Sequence, residues 1–133
     1  MTVADTDVLI DFLAGSEPAA EWVASELERG SLLTTVITRF ELLSGARNAR
    51  QENSIRQLLA AVPALELDDE AADKAAEVRR SLDRSGTSIG MADSLIAGIV
   101  LVHSAVLLTR NRRHFERVPE LQLANRKSPS ASL

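Results

Sequence analysis

The stretch SLIAGIVLVHSAVLL, residues 94–108, constrains the fold of this chain more than any other. A bilayer-spanning helix needs about 20 consecutive apolar residues. This run is shorter, and His103 and Ser104 break it. It reads instead as a helix, MADSLIAGIVLV (91–102), followed by a strand, AVLLT (105–109). A helix that is apolar on nearly every side belongs at the centre of a fold. A strand without polar alternation is buried on both faces. Together they require a sheet with helices on each side.

The rest of the chain supplies that sheet. TVA (2–4), SLLTTV (31–36), ALEL (64–67) and LQL (121–123) are short and apolar or β-branched, and each reads as a strand. Between them lie helical patterns. The first runs from about Thr6 with Val8, Leu9 and Phe12 inward, punctuated by Gly15 and Pro18. The second, EPAAEWVASELERG, has Trp22, Val23 and Leu27 inward and stops at Gly30. ITRFELLSGAR puts Val36, Phe40 and Leu43 on one stripe. NSIRQLLAAV ends at Pro63, and DDEAADKAAEVRRSLDRSG is amphipathic, acidic at its start and basic at its end, which suits the helix dipole. Strands alternating with helices define an α/β fold, a three-layer α/β/α sandwich around a short, mostly parallel sheet. With 133 residues the chain reads as one domain over residues 1–125 and a small, polar, disordered tail at 126–133.

Acidic residues interrupt this apolar framework at its junctions. Asp5 ends the first strand and Asp7 follows. Glu41 lies beside Phe40, Leu42 and Leu43, and Asp93 opens the apolar helix. Each has a local explanation. Asp5 or Asp7 caps the first helix, Thr38-Arg39-Phe40-Glu41 matches a capping box, and Asp93 caps its own helix. The other reading is that they converge, because ligands in parallel sheets bind beyond the carboxyl ends of the strands. Carboxylates in apolar company are paired or bound to a cation. Hard oxygen ligands select Mg²⁺ or Mn²⁺, whose chemistry on a phosphate is metal-assisted hydrolysis. His103, inside the apolar run, reads as a core or edge histidine. The chain has no cysteine, no G-x-S-x-G turn and no glycine-rich phosphate loop.

Four blocks, VADTDVLIDFL, TTVITRFELLSG, GMADSLIAGIV and LLTRNRRHF, resemble in order and spacing those of the PIN domain, and most of all the VapC toxin ribonucleases. The resemblance runs from about Val3 to Leu123. It implies a Mg²⁺- or Mn²⁺-dependent endoribonuclease of a type II toxin–antitoxin pair, inhibited by a VapB-type antitoxin, and dimeric or hetero-oligomeric with that partner. The absence of cysteine suits a cytoplasmic protein. It places Asp5, Glu41 and Asp93 on the family's catalytic, metal-binding acids. Thr6 falls on the small hydroxyl after the first acid, and Asp7 on a position often occupied by asparagine. The family's fourth acid is missing. Asn111 and His114 are the accessory candidates near that turn.

The net charge of −4 argues against a general nucleic-acid coat. A local cationic rim remains, with Arg39, Arg110, Arg112 and Arg113 as the RNA-binding candidates. An antitoxin with an apolar helix and an arginine is expected to cover Phe12 or Trp22. Two other enzymatic or signalling readings stand beside this one. Asp5 and Asp7 fit a haloacid-dehalogenase-like phosphatase, although no downstream lysine is convincing, and Asp68 is the acceptor for a receiver-like module. A catalytically silent PIN-like binding module is the fourth reading.

Overall fold

The computed structural model describes residues 1–125, so the expected tail at 126–133 lies outside the described residues. Among the described residues, five strands form one sheet: β1 (Thr2–Ala4), β2 (Leu32–Thr35), β3 (Ala64–Leu65), β4 (Val106–Leu108) and β5 (Gln122–Leu123). Their order is β3-β2-β1-β4-β5, and every pairing is parallel. Successive side chains of a strand point to opposite faces. Val3 and Leu107 accordingly enter one apolar cluster, and Ala4 and Leu108 the other.

The first cluster joins the sheet to α1 (Thr6–Ala14), α2 (Ala19–Arg29) and α4 (Ala49–Ala61) through Val8, Leu9, Val23, Ile55, Leu58 and Leu59. The second joins it to α5 (Asp69–Arg84) and α6 (Met91–Val102) through Val78, Leu82, Ile96, Ala97 and Val100. This is the three-layer sandwich expected from the run at 94–108. Helices α5 and α6 touch at Gly98, where a Cβ would meet the carbonyl of Ala71 and both N and Cβ of Ala75 at 2.7 Å. Helix α1 stops at Gly15 in the left-handed conformation, φ 70°.

The structure corrects several expectations. Helix α3 spans Val36–Ser44 and is capped by Thr35, whose hydroxyl accepts the Thr38 N–H at 3.1 Å. Thr38 therefore starts no capping box. Parallel pairing of Thr35 with Leu65 carries the strand up to Thr35, and the helix begins at once. Thr38 and Leu42 then face inward, and Phe40, half a turn from both, is 70% exposed. Gly90 occupies the cap position of α6, so Asp93 is a first-turn residue and no cap. His103 is exposed at the C-terminus of α6. Helix α4 starts at Ala49, capped by Asn48, earlier than its apolar pattern implied, and a one-turn α7 (Arg112–Phe115) follows β4, where no helix was expected.

Candidate active site

The strand order reverses between β1 and β4. Strands β2 and β3 extend to one side of β1, and β4 and β5 to the other. Such a switch point opens a crevice beyond the carboxyl ends of the strands. The residue following β1 is Asp5, and the residue following β4 is Thr109.

Asp5 is only 5% exposed. It caps α1, accepting the Val8 N–H on Oδ1 at 3.2 Å, and it accepts the Thr109 hydroxyl on Oδ2 at 2.5 Å. Desolvation by burial pushes its carboxyl up to about 7. The hydrogen bonds from Thr109 and Val8 oppose that rise, and the negative charges of Asp7 and Asp93 add to it. Capping and site membership are thus not alternatives for Asp5, because each oxygen keeps a free lone pair.

Thr6 links the first acid to the second. Its hydroxyl donates to Glu41 Oε1 at 2.5 Å and lies 3.0 Å from Thr38 Oγ1. Asp93, on the first turn of α6, contributes the third carboxylate, and its Oδ2 lies 2.9 Å from Nδ1 of His114. His114 therefore reaches the site, while no side-chain hydrogen bond of Asn111 occurs among the described residues. Asn111 contributes its backbone N–H, which donates to Thr109 Oγ1 at 2.9 Å. Thr109 escaped the sequence reading. The logic that singled out Asp5, a polar residue at the carboxyl end of an apolar strand, applies equally to it.

Three carboxylates with hydroxyls, and no thiolate, suit a hard cation in kind. A cation beside Asp5 would offset the unfavourable burial of its charge. As the side chains stand, no three His, Asp or Glu residues among the described residues lie close enough to surround one ion. Coordination of one ion by all three acids therefore requires side-chain movement from these positions.

The arginines divide. Arg39 and Arg113 are exposed. Arg110 pairs with Asp11 at 3.1 Å, and Arg112 donates to the carbonyl of Ala124 at 2.7 Å, tying α7 to the end of β5. Phe12 and Trp22 pack partly buried against the first core cluster. Ile10 and Leu13, at 45% and 38% exposure, are the open apolar residues of α1. They line a groove of about 630 Å³ together with Leu42 and Ile55, with Glu41, Arg47 and Arg50 on its walls. Asp68, required by the receiver-like reading, is the cap of α5 and accepts the Ala71 N–H at 2.9 Å.

A parallel sheet of order β3-β2-β1-β4-β5, with candidate acids after β1, on α3 and on α6, accompanies a match of the PIN domain family to residues 2–121. The chain belongs to that family. It is similar to ribonuclease VapC10 of Mycobacterium tuberculosis, 33% identical over 122 residues that cover 92% of this chain and 91% of the relative. It also resembles the tRNA(fMet)-specific endonuclease VapC of Shigella flexneri, 29% identical with 89% and 92% covered. Among solved structures, DNA-bound VapBC from Salmonella typhimurium superposes with a TM-score of 0.79 at 26% identity, covering 92% of this chain and 96% of that one.

Proposed function

We propose that this protein is a divalent-metal-dependent endoribonuclease, the toxin of a type II toxin–antitoxin pair, acting in the cytoplasm on RNA. The observation that carries the reading is the buried, capped Asp5 at the switch point, with Asp93 near enough to act on its charge and Glu41 tied to its neighbour Thr6. The match of the PIN domain family to residues 2–121 favours this reading over a phosphatase.

Asp5, Glu41 and Asp93 are the residues that would hold Mg²⁺ or Mn²⁺. Bound there, the cation would lower the pKa of an attacking water and clamp phosphate oxygens. The chain's own part is orientation. Val8 N–H and Thr109 fix both oxygens of Asp5, Thr6 restrains Glu41, and the α6 backbone presents Asp93. Asp7, Asn111 and His114 are accessory groups at the rim. Arg39, Arg110, Arg112 and Arg113 are the proposed phosphate contacts. Arg39 and Arg113 are the more available, because Arg110 and Arg112 already hold partners.

The proposed inhibitor is a VapB-type antitoxin, and the chain is proposed to dimerise. The groove between α1, α3 and α4 suits an amphipathic segment, with apolar side chains on Ile10, Leu13, Leu42 and Ile55 and acids toward Arg47 and Arg50. An arginine of the same segment would meet Glu41 and form charge-assisted hydrogen bonds. Purified protein with Mg²⁺ should release acid-soluble fragments from RNA and no phosphate from small phosphomonoesters. The reverse pattern would establish the phosphatase, and neither activity would leave a silent binding module.

A further inference from the structure

The segment Thr109–Phe115 reaches two acids of the site from one short stretch. At its start the Asn111 N–H donates to Thr109 Oγ1, which leaves the hydroxyl hydrogen of Thr109 for Asp5. At its end Phe115 is buried in the second core cluster and anchors α7. The neighbouring His114 is thereby held with Nδ1 at 2.9 Å from Asp93 Oδ2. An ionised carboxylate oxygen has no hydrogen to give, so Nδ1 carries it and the imidazole donates.

We propose that His114 is a positioning residue for Asp93, fixing Oδ2 through Nδ1–H so that Oδ1 is the oxygen presented to the cation. The inference rests on the reading of Asp93 as a metal ligand. Asp93 needs such a restraint. It is a first-turn residue that caps nothing, and His114 provides its one side-chain hydrogen bond among the described residues. Groups that orient a ligating side chain in this way are worth about 10- to 100-fold in metal affinity. The same segment does for Asp5 through Thr109 what it does for Asp93 through His114, so the two acids are aligned by one piece of chain.

The test is calorimetric titration of Mn²⁺ into the full chain, with His114→Ala, His114→Asn, His114→Gln and Asp93→Ala. Asparagine can place an amide N–H near the position of Nδ1, and glutamine reaches only toward Nε2. His114→Ala and His114→Gln should weaken Mn²⁺ binding about 10-fold or more, and His114→Asn should stay within about threefold of the parent. Wild-type affinity in His114→Ala, with binding lost in Asp93→Ala, would overturn the positioning role. Wild-type affinity in Asp93→Ala would overturn the ligand reading itself. Spin-echo spectra of the Mn²⁺ complex should show no nitrogen coupling from His114, and a coupling would make it a ligand and overturn the proposal. Should His114→Ala fail to fold, the contrast between the asparagine and glutamine variants decides alone, and equal loss in both contradicts it.

Discussion

Above pH 7 the ionised carboxylate of Asp5 sits where water scarcely reaches, with two hydrogen bonds among the described residues to replace solvation. Its folded-state pKa of about 7 lies above the unfolded value of 3.8. The folded chain therefore keeps a proton that the unfolded chain has lost. This contribution to stability is complete below 3.8 and falls away as pH rises to about 7, by a few kcal/mol in all. Asp5→Asn removes the titration while keeping an acceptor for Val8. Urea unfolding in chelator should find that variant more stable than the parent at pH 8, with a margin that shrinks toward pH 4. The same variant should lose RNA cleavage. In the parent, Mn²⁺ affinity should rise with pH through about 7, because the proton must leave before a cation binds. How a residue was read from sequence turned on its neighbours. Asp5 was legible because a charge at the end of an apolar strand has no other good home. Phe40 was misplaced because Thr35 and Thr38 are equally good caps, and only the pairing of Thr35 with Leu65 chooses between them.

At the scale of elements, the alternation of short apolar strands with helices was enough to specify a parallel sheet with two covered faces. Strand order was not legible, since no residue in TVA says whether its neighbours are LLTT or VLL. The α7 turn was also missed, because four residues carry no periodicity, and with it went the contact of His114 with Asp93. The packing of α5 on α6 depends on Gly98, where added atoms would strike backbone of Ala71 and Ala75 rather than a movable side chain end. Gly98→Ala should destabilise the fold by about 1–3 kcal/mol, read by chemical denaturation. A neutral result would mean that α5 and α6 separate freely.

For the whole molecule, an overall acidic charge and a proposed polyanionic substrate are compatible only if cations are local. Phosphate contacts release counterions, so log affinity for single-stranded RNA should fall linearly with log salt. Replacing Arg39 and Arg113 together by Ala should lower that slope by about 1.4. Arg112→Ala should instead cost stability, because it removes the donor to the Ala124 carbonyl. An unchanged slope in the double variant would move the RNA path elsewhere.

The central claim is that Asp5, Glu41 and Asp93 share one cation at the switch point. Anomalous scattering from a crystal of the full chain soaked in Mn²⁺ locates such an ion directly. The expected result is one ion at about 2.1 Å from an oxygen of Asp5 and of Asp93, with Glu41 turned from Thr6 toward it or joined through water. Mn²⁺ bound at another place, or no ion between these acids at saturating Mn²⁺, would contradict the account.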